Sequence, residues 1–247
     1  MRKLAVSALC VLLLATGCGA GGEQTTVRVF AAASLTESFS ALERRFEADH
    51  PGVDVQLVLD ASSTLAQQLG EGARADVFAS ADEPNMAKVV REGRIEGSPT
   101  VFATNRLTIA VEPGNPLGIT GLADLATDGL ILVVCAPQVP CGAAAEQTSR
   151  GAGVELTPAS EEPNVKAVLT KVVTGEADAG LVYVTDALAA GDKVDRVDFP
   201  ESEAVINDYP IAVLADASQA ELARQFTELV LSQDGQRVVK QAGFGSP

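Results

Sequence analysis

The feature that most constrains the fold is a repeated unit in which a short apolar strand leads through small residues into an amphipathic helix. The first unit pairs a β-rich run at 27–32 with a helical stripe of Leu35, Phe39, Leu42 and Phe46. Ser34 and Glu37 have the spacing of a capping box, which predicts that the helix begins at Ser34. A helix N-terminus presents unpaired N–H groups and a partial positive charge, so this junction could form half of a small-anion site.

A second copy of the same junction follows. Residues 53–59 form a nearly continuous apolar run, typical of a strand buried on both faces, and a Ser-rich turn then leads into a helix that Gly70 ends. Ser62 stands here where Ser34 stands in the first unit. Two such helix starts after parallel strands could face one crevice. For either serine alone, an ordinary helix cap is the alternative.

Strand and helix patterns alternate along the rest of the chain, which predicts an α/β architecture with mostly parallel sheets. Two further helix starts with small or polar residues lie at Cys141 and Val165. Ser218 and Glu221 repeat the capping-box spacing before another helix. Predicted strands lie at 76–81, 130–134, 179–184 and 194–199, and predicted crossovers between two domains at 105–111 and 209–214.

The N-terminal segment is typical of an export signal. Arg2 and Lys3 precede an apolar run at 4–15, and the small residues before Cys18 match a bacterial lipoprotein signal, although Ala15 stands where leucine is usual. We therefore expect residues 1–18 to be a signal up to a lipidated Cys18, with 19–26 as a flexible tether. The protein would then be extracytoplasmic and anchored to the cell membrane by lipid alone. A conventional cleaved signal peptide is the alternative.

Export also bears on the remaining cysteines. Cys135 and Cys141 lie six positions apart, and an oxidising compartment permits a disulfide between them. Two free thiols are the alternative. No histidine is near, so the spacing is a poor zinc pattern, and we expect no residue to ligate a metal directly.

Charge and composition exclude several functions. Loss of Arg2 and Lys3 takes the formal net charge from −15 to −17, which disfavours binding to nucleic acid or anionic lipid. Such a chain can bind an anion only through locally arranged donors.

His50 is the single histidine and lies at a predicted helix end, so a serine or cysteine hydrolase would lack a suitable base. We therefore expect no enzymatic activity and no cofactor.

Five short motifs together resemble the molybdate-binding component of ABC importers, over residues 27 to the C-terminus. The first three are FAAASLT at 30–36, ASSTLA at 61–66 and ADVFASAD at 75–82. The other two are GLVY at 180–183 and YPIAV at 209–213. The resemblance implies a type II periplasmic-binding-protein fold: domain I at 27–106 and 208–247, domain II at 107–207, and an oxyanion in the cleft between them.

The resemblance also implies a ligand set and partners. Ser34 and Ser62 would donate hydroxyl and N–H bonds, Cys141 and Val165 main-chain N–H bonds, and Tyr183 its phenol. Cys141 departs from the family, which usually has a small residue such as alanine there, but only its N–H is required. The implied function is capture of molybdate or tungstate by a monomer that delivers it to an importer permease and its ATPase.

Three rival functions are weighed against this one. A receptor for another tetrahedral oxyanion such as sulfate is the main alternative. A phosphate receptor would be expected to include an acceptor for the phosphate proton, which the proposed set lacks. A ligand-sensing domain of a transcription regulator is excluded by the export signal and by the lack of DNA-binding helices.

Overall fold

The computed structural model describes residues 24–247 and divides them between two mixed sheets flanked by helices. The predicted signal, the lipidation at Cys18 and most of the tether lie outside the described residues. The strands are β1 Thr25–Ala32, β2 Val53–Asp60, β3 Val77–Ala79, β4 Thr100–Asn105, β5 Leu107–Val111, β6 Leu132–Cys135, β7 Ser160–Glu162, β8 Ala179–Tyr183, β9 Asp195–Val197 and β10 Asn207–Val213. The α-helices are α1 Thr36–Asp49, α2 Ser62–Gly70, α3 Glu83–Arg91, α4 Pro140–Ala152, α5 Val165–Val173, α6 Val184–Ala190, α7 Ala220–Leu231 and α8 Gln233–Gln241. Within residues 24–247 there are also four 3-10 helices, at Ala33–Leu35, Leu122–Ala126, Gly191–Lys193 and Pro200–Ala204.

The first lobe is built on the sheet β2-β1-β3-β10-β4. Its two hydrophobic cores lie on opposite faces of this sheet. One contains α1, α7 and α8 and is filled by aromatic rings, with Phe39 packed against both Phe102 and Phe226. The other contains α2 and α3, with Leu65, Leu69, Met86 and Val89 among its buried side chains.

The second lobe is built on the sheet β7-β6-β8-β5-β9, with one continuous core. Helix α5 packs closely on β8, because Gly180 leaves no side chain between the strand and the helix. A Cβ on Gly180 would lie 2.7 Å from a methyl carbon of Val168. The chain enters this lobe between Asn105 and Leu107 and returns to the first lobe before Asn207.

The α/β fold with two lobes is as predicted, but the prediction of mostly parallel sheets is wrong. Each sheet has two parallel and two antiparallel strand pairs. Every antiparallel pair involves β10 or β5, each of which lies next to a point where the chain crosses between the lobes. Strand direction at these points depends on the path of the chain, which local patterns do not reveal.

Other predictions near element ends also require correction. The chain does cross between the lobes within the predicted range 105–111, but not as one strand: Asn105 ends β4 in one sheet and Leu107–Val111 form β5 in the other. Thr25 and Thr26, placed in the tether, pair with β2. Strand β2 is an edge strand with mostly half-buried residues rather than one buried on both faces. Of the strand predicted at 194–199, only Asp195–Val197 (β9) forms.

Neither predicted capping box forms, because each serine bonds elsewhere. The Ser34 hydroxyl pairs with Tyr209, and α1 begins at Thr36 after a 3-10 turn. The Ser218 hydroxyl donates to Asp76, and α7 begins at Ala220. In both cases a partner distant in sequence replaces the local one.

Candidate functional site

All five residues predicted to bind the ligand line one cavity between the two lobes. The cavity is small, with about 10 Å³ of space available to the centre of a water-sized sphere. Its lining residues are Ala32, Ala33, Ser34, Ala61, Ser62, Ala81, Val139, Pro140, Cys141, Asn164, Val165 and Tyr183. None of these twelve carries a charged side chain, so a ligand here meets neutral groups.

Ser34 lies in the 3-10 turn between β1 and α1 and is 3% exposed. Its hydroxyl oxygen is 2.9 Å from the phenol oxygen of Tyr209, which lies on β10. No acceptor for the Ser34 main-chain N–H is found among the described residues. The turn therefore offers the cavity an N–H group and a hydroxyl group.

Ser62 is the first residue of α2 and is 1% exposed. Its hydroxyl oxygen accepts a hydrogen bond from the N–H of Ala81 at 2.8 Å. An N–H group can only donate, so the Ser62 hydroxyl keeps its own proton available for a ligand. Its main-chain N–H is at a helix start and has no intrahelical acceptor.

Cys141 lies in the first turn of α4, at the end of a tight loop. A disulfide joins it to Cys135 at the end of β6. The loop also depends on Gly142, because a Cβ there would lie 2.0 Å from the carbonyl oxygen of Ala136. Cys141 is the second residue of α4, so its N–H has no acceptor within the helix. No other main-chain acceptor for this N–H is found among the described residues.

Val165 begins α5, where Asn164 is the N-cap and accepts from the N–H of Ala167 at 3.0 Å. The Asn164 amide also donates to Asp60 at 3.1 Å, a hydrogen bond between the lobes. Asn164 is thus a structural cap that leaves the Val165 N–H free at the helix start.

Tyr183 ends β8 and is 1% exposed. Its hydroxyl has no hydrogen-bond partner within residues 24–247. Burial raises the pKa of this phenol well above its ordinary value, so it remains protonated and can donate. An unpaired buried hydroxyl costs about 1–3 kcal/mol, which an anionic ligand would offset by accepting its proton.

A charged bridge joins the lobes beside the cavity. The Lys166 ammonium lies 2.9 Å from a carboxylate oxygen of Glu37 in the first lobe and 3.0 Å from one of Asp186 in the second. Asp186 is fully buried, and burial raises its pKa to about 6 although Lys166 lowers it. Burial opposes the charge of Lys166, but the carboxylates of Asp186 and Glu37 outweigh this and raise its pKa.

Neither metal ligation nor membrane insertion is indicated in the part of the chain that the structure describes. No group of His, Cys, Asp and Glu side chains within residues 24–247 could hold a metal ion. No helix in the same range is long and apolar enough to cross a bilayer.

Two α/β lobes that enclose a small cavity without charged side chains and are joined by two crossings define the class of two-lobed solute-binding proteins. Comparison with known proteins identifies the family. Residues 27–245 match the family described as bacterial extracellular solute-binding protein, and the chain belongs to it.

Named relatives fall in the same class. The chain is 50% identical over 222 residues to the molybdate-binding protein ModA of Mycobacterium tuberculosis strain H37Rv, covering 90% of this chain and 85% of that protein. It is 30% identical to a putative ABC transporter substrate-binding lipoprotein, YvgL, of Bacillus subtilis, covering 97% and 96%. The fold superposes on the periplasmic molybdate-binding protein of Azotobacter vinelandii with a TM-score of 0.78 at 22% identity, covering 90% and 99%.

The sequence did not reveal which residues contact the site residues from outside the cavity. Tyr209 was noted only as part of a crossover motif, and Asn105 and Lys166 were not assigned a role. Asn105 donates to Thr185 at 2.9 Å and lies 3.5 Å from the Tyr209 hydroxyl. The only sequence signal for Asn105 and Tyr209 was that each is a polar residue at a predicted crossing between the domains.

Proposed function

We propose that this protein captures molybdate or tungstate outside the cell membrane and delivers it to the permease of an ABC importer. The observation that carries the proposal is the cavity, which collects three hydroxyls and several helix-start N–H groups but no charged side chain. The 50% identity to a protein named as molybdate-binding supports the choice of ligand.

Neutral donors can replace the hydration of a dianion. A hydrogen bond to a charged group contributes about 1.5–3 kcal/mol, and helix N-termini add positive potential without a cation. Ser34 and Ser62 come from one lobe and Cys141, Val165 and Tyr183 from the other, so the ion would be enclosed from both sides. A sulfate receptor is the alternative, since the same donors suit any tetrahedral dianion.

Isothermal calorimetry tests this proposal. Wild-type protein is titrated with molybdate, tungstate, sulfate and phosphate, and tight binding of the first two with weak binding of the others is expected. Tighter binding of sulfate than of molybdate would favour the alternative.

The double variant Ser34→Ala/Ser62→Ala tests the site itself. Loss of two charge-assisted bonds of about 1.5–3 kcal/mol each predicts an affinity on the order of 100- to 10,000-fold weaker. Without ligand, the double variant should melt at a lower temperature, because it leaves the buried Ala81 N–H and the Tyr209 phenol without their serine partners, so binding is measured well below that temperature. Ser38→Ala is the matched control, since this buried hydroxyl bonds the Leu35 carbonyl rather than the cavity. Unchanged molybdate affinity in the double variant would reject the site.

The membrane attachment is a separate part of the proposal. The chain belongs to an extracellular family, and a relative is named as a lipoprotein. We infer that Cys18 carries the lipid and that a monomer docks on the permease. Metabolic labelling with a fatty-acid probe should mark wild-type protein and fail to mark Cys18→Ala, whereas equal labelling of both would contradict the anchor.

A further inference from the structure

The Cys135–Cys141 disulfide joins the end of a strand to the wall of the ligand cavity. Cys135 is the last residue of β6, and Cys141 lies in the first turn of α4, among the residues that line the cavity. Both cysteines are buried, with 1% and 3% of their surface exposed. The proposed ligand set uses only the main-chain N–H of Cys141. Its side chain is therefore available for another role, and it forms the bridge.

The bridge closes a loop too short for overall stability to be its main effect. Six positions separate the two cysteines, and their Cα atoms are 5.7 Å apart. In the chain-entropy account, a disulfide stabilises a fold by restricting the unfolded chain, and the gain grows with the length of the loop that is closed. A loop of this size lies at the low end of that range. The bridge should therefore act mostly on the loop itself.

Few other bonds fix the loop between β6 and α4. Its two prolines have no N–H to donate. Among the described residues, its main-chain donors are the Ala136 N–H, which bonds to the Glu162 carbonyl, and the Val139 N–H, which bonds to the Ala136 carbonyl, both at 2.9 Å. Both donors precede the first residue of α4. The disulfide is thus the link from Cys141 itself back to the sheet at Cys135.

The packing of α4 against the strand end limits movement in one direction only. A Cβ on Gly142 would lie 2.0 Å from the carbonyl oxygen of Ala136 and 2.6 Å from that of Cys135. This close contact prevents the first turn of α4 from moving toward the strand. It does not prevent the turn from moving away, and the disulfide does.

We propose that the disulfide is a positioning element of the anion site, which holds the first turn of α4 against the end of β6 so that the Cys141 N–H keeps its place in the cavity wall, and that binding is tight only in the oxidised protein. The proposal rests on the proposed function. A hydrogen bond weakens steeply when its distance or angle departs from the optimum, so a small shift of this turn would weaken one donor without unfolding the lobe.

Calorimetry with molybdate compares wild type with Cys135→Ser, which breaks the bridge and leaves the residue at the cavity in place. The variant is expected to bind molybdate about 10- to 100-fold more weakly, which is the worth of one charge-assisted hydrogen bond. Cys135→Ser/Cys141→Ser should show the same loss. Thr148→Ala is the matched control and should keep wild-type affinity, since this buried hydroxyl on the same helix donates to the Ala144 carbonyl. Wild-type affinity in both bridge variants would overturn the proposal.

Reduction of wild-type protein provides a reversible form of the same test. Dithiothreitol transfers two electrons and two protons to the bridge, which becomes two thiols, while the reagent closes to a cyclic disulfide. The reagent is removed under argon before titration, and thiol labelling verifies the reduction. Reduced protein should bind molybdate as weakly as the variants, and reoxidised protein should regain wild-type affinity. Reduced protein with wild-type affinity would contradict the proposal.

Hydrogen exchange of the ligand-free protein separates positioning from a merely structural role. In Cys135→Ser the Ala143 N–H, which bonds to the Val139 carbonyl at 2.9 Å, should exchange faster than in wild type. The amides of β8, a core strand of the same lobe, should exchange at the wild-type rate. A variant that lost its fold, or that exchanged faster throughout β8 as well, would show that the bridge stabilises the whole lobe and would reject this inference alone. If oxidised wild-type protein bound no tetrahedral oxyanion, the proposed function itself would fail.

Discussion

Replacement of Lys166 by methionine isolates the charged bridge between the lobes. Methionine keeps an apolar stem of similar length but removes the ammonium, which lies 3.0 Å from a carboxylate oxygen of the fully buried Asp186. The second partner, Glu37, is 48% exposed, so its pairing is worth only about 0.2–1 kcal/mol. The main consequence is therefore a buried carboxyl group without its cation.

The size of the effect follows from the pKa of Asp186. Burial raises this pKa from 3.8 to about 6 in the folded protein even with Lys166 present, and loss of the cation raises it further. At about pH 7.5 the wild-type carboxyl is ionised, whereas in Lys166→Met it stays protonated. The variant then forgoes the free energy of ionisation, about 1.5 pH units at 1.36 kcal/mol each, or about 2 kcal/mol. At about pH 5 both folded proteins hold the proton, and this cost falls close to zero.

Urea unfolding of the ligand-free protein at these two pH values is the assay. We expect Lys166→Met to be less stable than wild type by about 2 kcal/mol at the higher pH and by much less at the lower pH. Glu37→Gln, the matched control for the exposed arm of the bridge, should cost under about 1 kcal/mol at about pH 7.5. A cost for Lys166→Met that is the same at both pH values would refute the reasoning.

Three further outcomes are expected. Tyr183→Phe should leave ligand-free stability unchanged or raise it by about 1–3 kcal/mol, because it removes an unpaired buried hydroxyl, while calorimetry shows weaker molybdate binding. Asp186→Asn should gain about 3 kcal/mol of stability relative to wild type as pH rises from about 4 to 6, with little further change up to about 7.5, because in that window the unfolded carboxyl is ionised while the buried one still holds its proton; urea unfolding measures this. Gly142→Ala should lower the melting temperature and weaken molybdate binding together, because a Cβ 2.0 Å from the Ala136 carbonyl oxygen must displace the loop that carries Cys141.

The helix starts at the cavity could be predicted because their signals are local. Ser62 stands at a strand-to-helix junction that composition and periodicity reveal without tertiary information. The helix at Val165 follows the same logic, with Asn164 as its cap. Within each lobe, parallel strands carry two junctions to the same sheet edge, β1 and β2 those of Ser34 and Ser62, and β6 and β7 those of Cys141 and Val165. That the two edges face each other across the cavity depends on how the lobes pack, which local patterns do not reveal.

The partners of these groups could not be predicted, because they are distant in sequence. Ser34 and Tyr209 are 175 positions apart, and Lys166 and Glu37 are 129 apart. The Ser34–Glu37 spacing indicated a capping box, yet the hydroxyl bonds Tyr209 and the Glu37 carboxylate bonds Lys166. A local pattern states which bonds a side chain can make, and the packing of the lobes decides which of them it does make.

The division of donors between the lobes connects this packing to the proposed transport. Ser34 and Ser62 belong to the first lobe, and Cys141, Val165 and Tyr183 to the second, so neither lobe alone could replace the hydration of a dianion. With no charged side chain in the lining, nothing would hold the ion once the lobes separate. Affinity would then depend on closure, to which the cross-lobe contacts of Asp60 with Asn164 and of Glu37 with Lys166 contribute. A permease that separated the lobes would release the ion without having to break an ion pair to it.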